Sequence, residues 1–110
     1  MRYHEIGSKS RAELEALIDS GNEAAIIDAL LSAAYPDWKW VQGICLRFLG
    51  HADPGVRSNA LICIGHIARI HKKLDLELVL PELLALKQDA QMGPYADEAL
   101  ADIHFFLGVH

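Results

Sequence analysis

The side chains able to do chemistry are six histidines (His4, His51, His66, His71, His104 and His110), two cysteines (Cys45 and Cys63) and fifteen carboxylates. A zinc site needs several nitrogen or sulfur ligands, commonly with two of them three or four residues apart on one helix. Cys63 and His66 meet that spacing, and no third or fourth ligand follows at a usable distance. A packed thiol beside a partly exposed imidazole is therefore the reading, with no metal. Glu98 and Asp102 lie one helical turn apart, as general acid–base catalysis asks of paired carboxylates. The same pair serves as helix solvation or as a docking point for a basic partner. The sequence holds no strand-borne nucleophile elbow, no glycine-rich phosphate loop and no His-Glu metal helix. The expectation is a protein that is not an enzyme and needs no cofactor.

The elements that must position these residues are helices. Residues 51–70 read as a turn, a cap and a long helix: Asp53 offers its carboxylate as N-cap, and Pro54 stands at the first helical position, where a missing N–H costs nothing. Val56, Ala60, Ile64, Ile67, Ala68 and His71 recur at spacings of three and four. Ile62, Cys63 and Ile70 add apolar groups outside that stripe, which places this helix in the middle of a stack. Upstream, Ser10 and Glu13 form a capping box for a first helix that buries Leu14, Leu17 and Ile18 and stops at Gly21. Asn22 caps a second helix with Ile26, Ile27, Leu30, Leu31 and Ala34 inward, ended by Tyr35-Pro36. Asp37 caps a third, with Val41, Ile44, Cys45, Phe48 and Leu49 on one face. Asp75 opens a fifth helix that Pro81 kinks without breaking, and Tyr95 opens a sixth running to about Leu107. No stretch alternates as a strand would. Trp38 continues the third helix's buried stripe, whereas Trp40 is offset and reads either as an exposed binding anchor or as second-row packing.

Length and charge narrow the classes. A chain of 110 residues, 52% apolar and 23% charged, is one folded domain, and no apolar run approaches the ~18 residues that span a bilayer. The first ten residues lack the apolar core of a signal peptide. Both cysteines fall inside apolar helical patterns and read as reduced core thiols of a cytoplasmic protein, with a Cys45–Cys63 disulfide as the alternative. The net charge of −5 is segregated: residues 1–38 balance to −4, 39–73 to +5 and 74–110 to −6. Either the blocks neutralise one another when stacked, or an acidic surface steers a basic partner. Direct binding of nucleic acid is disfavoured, because a duplex would meet mainly carboxylates.

The six helices form three hairpins, at about residues 10–35, 37–72 and 75–107, and the hairpins repeat. A shift of 36 residues lays Asp53 on Asp89, Ala60 on Ala96, Ile64 on Leu100 and Ile67 on Ile103; a shift of 31 lays Asn22 on Asp53 and Ala29 on Ala60. The expected fold is all-α, a short right-handed solenoid of about three antiparallel hairpins. In such stacks the second helix of each hairpin lines one concave surface. On the central helix the outward positions are Asn59, Ile62, His66 and Arg69; the 36-residue shift carries them to Tyr95, Glu98, Asp102 and Phe105, and the 31-residue shift carries the first three to Asp28, Leu31 and Tyr35. Asp28, Tyr35, Asn59, Ile62, His66, Tyr95, Glu98 and Asp102 are accordingly the candidate partner-binding residues, a mixture suited to a basic protein. Lateral packing of Ile62, Leu31 and Phe105 is the competing account.

Residues 46–60, with His51-Ala52-Asp53-Pro54-Gly55-Val56-Arg57 at their centre, followed by Ile64-Gly65-His66-Ile67-Ala68, resemble the HEAT-repeat family. Leu80-Pro81-Glu82-Leu83-Leu84 through Asp89 to Leu100 looks like a second copy. The resemblance implies a protein-binding scaffold in which Asp53, Val56 and Arg57 bridge adjacent repeats. The second copy has Met92 and Gly93 where the Val-Arg pair should stand, so its charge ladder is incomplete. More loosely, residues 40–53 joined to 64–71 are similar to small immunity proteins of contact-dependent growth inhibition (CDI) and polymorphic toxin systems. That similarity implies a non-catalytic protein that binds and neutralises a basic, nuclease-type toxin domain in the cytoplasm, away from membranes. The alternatives are a HEAT-type adaptor or assembly scaffold for an enzyme, and a HEAT-like lyase.

Overall fold

The computed structural model describes residues 10–32 and 37–108, and among them the regular structure is six helices with no strand. These are α1 (Arg11–Asp19), α2 (Glu23–Ser32), α3 (Trp38–Phe48), α4 (Pro54–His71), α5 (Leu76–Leu86) and α6 (Gly93–Leu107). Tyr35, His4 and His110 lie outside the described residues, as does the expected end of the second helix at Tyr35-Pro36.

Side-chain caps set the starts of α1 to α4. Ser10 Oγ accepts from the Glu13 N–H at 3.2 Å while the Ser10 N–H donates to Glu13 Oε1 at 2.9 Å, completing the capping box. A side-chain oxygen accepting the N–H three residues on then recurs at the repeat spacing, as a helix cap at Asn22 and Asp53 and within the turn before α6 at Asp89. Asn22 Oδ1 accepts from the Ala25 N–H at 3.0 Å, Asp53 Oδ2 from Val56 at 3.1 Å, and Asp89 Oδ1 from Met92 at 2.9 Å. Gly21 occupies the left-handed region (φ 72°), which only glycine enters at no steric cost. The end of α4 is less ordinary. Lys72 itself adopts φ 54° and donates its N–H to the Ala68 carbonyl, so the basic residues expected there also supply the turn.

The helices pair as α1/α2, α3/α4 and α5/α6, and the pairs join chiefly through α2/α4 and α4/α6. Helix α4 is the hub, touching α2, α3 and α6. It buries Val56, Ala60, Leu61, Cys63, Ile64, Gly65, Ile67 and Ala68, more than half its circumference. Ala29, Ala60 and Ala96 occupy the same repeat position and are all buried, which lets α2, α4 and α6 approach closely. Helices α1, α3 and α5 are not packed on one another to that degree. Helices α2, α4 and α6 thus form one contiguous layer of the molecule.

Several expectations shift. Leu31, assigned to the buried side of α2, is 54% exposed, because α1 and α4 cover only the stripe of Ile26, Ala29 and Leu30. Ile70 is 41% exposed, lying outside the buried arc of α4. Helix α6 begins at Gly93, before Tyr95. Gly93 is there for room: a Cβ would sit 2.9 Å from the Lys87 carbonyl oxygen. Met92, 1% exposed, fills the place that Val56 fills one repeat earlier. Helix α5 passes through Pro81 unbroken.

Candidate functional site

Between α4 and α6 runs a groove of about 280 Å³, lined by Leu61, Ile62, Gly65, His66 and Arg69 from one helix and Tyr95, Glu98, Ala99 and Asp102 from the other. Helical periodicity explains the lining. Ile62, His66 and Arg69 recur at four and three residues on α4, and Tyr95, Glu98 and Asp102 at three and four on α6, so each set forms one edge. The floor depends on small residues. A Cβ on Gly65 would stand 2.7 Å from Asp102 Oδ2 and 3.8 Å from Ala99 Cα.

Charge in the groove is mixed. Arg69 Nη2 lies 3.4 Å from Asp102 Oδ2, a single contact across the two helices. His66 titrates below its ordinary value, first because it is partly buried and then because the Arg69 cation is near; Asp102 opposes the shift only in part. His66 is thus held neutral at pH 7, leaving Glu98 unmatched among the charged side chains that line the groove.

The groove gathers five of the eight candidate binding residues: Ile62, His66, Tyr95, Glu98 and Asp102. The others are elsewhere. Asp28 borders a separate depression with Glu13, Ala16, Leu17 and Ser20, because α2 turns that side toward α1. Asn59 folds its amide back, donating from Nδ2 to the Gly55 carbonyl at 2.8 Å. Tyr35 lies outside the described residues. Leu61, Gly65, Arg69 and Ala99 are lining residues absent from the candidate list. Arg69 was an outward position of the central helix, and Gly65 carried a signal of its own, since glycine inside a helix is costly unless something must come close.

The other chemical candidates resolve as structure. Cys63 is 1% exposed and points to Cys45 of α3, away from His66; both thiols are free. Burial, and then the neighbouring Cys63 thiol, push the Cys45 thiol well above its ordinary value, which makes it a poor nucleophile. Among the described residues, no three or more His, Cys, Asp or Glu side chains gather as metal ligands would. Trp40 is half-buried beneath the Arg11 guanidinium, 4.4 Å from the ring centroid, joining α1 to α3. Asp53 caps α4, and Val56 is fully buried. Arg57 is near enough to Asp89 to help lower its carboxylate, after the N–H groups of Met92 and Gln91. Arg57 Nε is itself buried without a hydrogen-bond partner. Gly93 stands at the position that corresponds to Arg57 under the 36-residue shift.

No protein-family model and no curated protein matches the chain. Among solved structures, it is similar to a chain in the crystal structure of a CDI complex from Cupriavidus taiwanensis LMG 19424, with a TM-score of 0.80 and 36% sequence identity. The likeness covers 96% of this chain and 97% of that one.

Proposed function

The chain belongs to the same family as that component of the CDI complex, and we propose that it is an immunity protein, binding a cognate toxin domain and blocking its working surface. The full-length likeness is the observation that carries this reading. An acidic balance of −5 supports the inhibitor's part over that of a basic toxin domain. In this reading the protein is non-catalytic, works without cofactor in the cytoplasm where the toxin acts, and touches neither membrane nor nucleic acid directly. No helix among the described residues is long and apolar enough to cross a membrane. The partner is a basic, nuclease-type domain, recognised at the α2/α4/α6 layer of a HEAT-like stack through the α4–α6 groove. Tyr95 supplies a partly exposed aromatic anchor and Glu98 the unmatched charge.

Co-expression with a cognate CDI toxin domain tests the proposal. It should restore growth and yield a one-to-one complex on size exclusion. Continued killing in the presence of folded protein would overturn it. Reversal of Glu98 and Asp102 to lysine should slow association and flatten its salt dependence. Tyr95→Ala should act on dissociation. Replacing Lys72 and Lys73 with alanine should change neither; if that change abolishes association while the reversal leaves it intact, the interface lies along the basic middle of the stack.

A further inference from the structure

We propose that Arg69 occupies, in the free protein, the place that an arginine of the partner takes on Asp102 in the complex, so that binding exchanges an internal ion pair for an intermolecular one. This rests on the immunity reading above and specifies the group that the groove reads.

The internal pair is built to be given up. Its one contact is long, 3.4 Å, and lacks the parallel fork that makes arginine–carboxylate pairs strong. The Arg69 side chain is 52% exposed, and pairs of that kind contribute little because water and salt screen them. Asp102, by contrast, is only 26% exposed and sits over the Gly65 notch, in space that any other residue at position 65 would claim. Packing positions the carboxylate, and Arg69 merely covers it. The molecule thus already displays which group this carboxylate accepts.

There is room for a second guanidinium. The groove's open volume of about 280 Å³ lies against Asp102, with Glu98 one turn away and the Tyr95 ring on the same edge. A guanidinium can place its fork on a carboxylate while its plane lies on an aromatic ring; an ammonium offers neither geometry. His66 on the facing edge stays neutral and does not compete for the site. Displaced, Arg69 swings into solvent, where its side chain already stands 52% exposed. Gly65 is in these terms a positioning residue, and Arg69 an occupant that an incoming arginine must replace.

The test is binding kinetics against the purified cognate toxin domain identified by co-expression, using three variants whose fold is first checked by melting curves. Asp102→Asn should weaken binding by about thirtyfold or more, the loss expected for one half of a desolvated charge pair. Gly65→Ala keeps every charge yet pushes the Asp102 carboxylate off its position, and should cost about tenfold, mainly through faster dissociation. Arg69→Gln, at an exposed side chain that does not threaten the fold, should leave affinity unchanged or tighten it by up to about fivefold. Weakening by Arg69→Gln to the extent of Asp102→Asn would show the internal pair retained in the complex and overturn the exchange. So would wild-type kinetics in a folded Gly65→Ala protein. Either result leaves the immunity reading standing, whereas wild-type protein that fails to bind the toxin domain removes that reading and the exchange together. Should Gly65→Ala fail to fold, the contrast between Arg69→Gln and Asp102→Asn decides alone.

Discussion

The second and third hairpins meet along two seams of opposite character. Where α4 meets α6, small residues let the backbones approach, Ala60, Ala96, Ala99 and Gly65 all being buried, and the polar groups stay at the rim. Where α3 approaches the start of α5, the junction is made by one amide. Gln42, 2% exposed, donates from Nε2 to Asp75 Oδ2 at 3.0 Å and accepts the Asp75 N–H at 2.6 Å, with Lys39 Nζ 3.8 Å from the same carboxylate. This arrangement explains why Asp75 precedes α5 without capping it through its side chain. The dry seam is non-directional and supplies burial. The amide clasp supplies direction, fixing the register of α5 against α3 where little apolar contact does so. The dry seam sets how closely the helices stack, and the clasp sets how far they splay.

The largest effect should come from the dry side. Ile64 is fully buried on α4, and Ile64→Ala should cost about 2–5 kcal/mol by lost transfer energy and a residual cavity. That is a large share of a small domain's total stability. Denaturant unfolding followed by far-UV circular dichroism checks it; a variant as stable as the parent would mean that α4 is not the hub.

The clasp should cost less, but more than its single residue suggests. Gln42→Ala strips partners from both the Asp75 N–H and its carboxylate, and about 1–3 kcal/mol of stability should go with them. Protection of the α5 amides from hydrogen exchange should fall while that of α4 holds. Equal loss across all helices would mean the clasp is part of the common core, and the contrast between the seams would dissolve.

These two seams were not equally legible in the sequence. Apolar spacing of three and four marked Val41, Cys45, Ile64 and Ile67 as core, and the shifts of 31 and 36 aligned Asn22, Asp53 and Asp89, whose side chains accept equivalent backbone N–H bonds, because burial and polar turns both leave periodic traces. Gln42 left none: a glutamine beside an apolar stripe looks solvated until a partner 33 residues away is known. The groove was half legible for the same reason. Repeat arithmetic carried Ile62 and His66 onto Glu98 and Asp102, and all four line the groove, since α4 and α6 share one packing. Asp28 and Asn59 lie away from it, where a different neighbour helix and a local amide bond decided the side chain's direction. Leu31 went astray because a ten-residue helix with Ile26, Ile27, Leu30 and Leu31 in adjacent pairs offers two overlapping faces, and only one is covered.

The smallest effect sharpens the dry seam at its rim. His66 is partly buried beside Arg69, and both influences hold its folded pKa below the ordinary value. In the unfolded chain it titrates near pH 6.5. Between that value and the lower folded one, the unfolded state binds more protons, so stability rises with pH across this window and declines as pH falls through it. The His66 contribution is therefore complete above the unfolded pKa and lost on acidification past the folded one. His66→Gln removes the titrating group while keeping a polar side chain in the groove. Melting midpoints of the two proteins should differ more at pH 7.5 than at pH 5 in the parent's favour, by a modest amount because His66 is not fully enclosed. A difference that stays constant over this range would mean that His66 titrates alike in both states. The α4–α6 rim would then be as open to water as the depression beside Asp28, and the groove would lose the partial desolvation on which its neutral histidine depends.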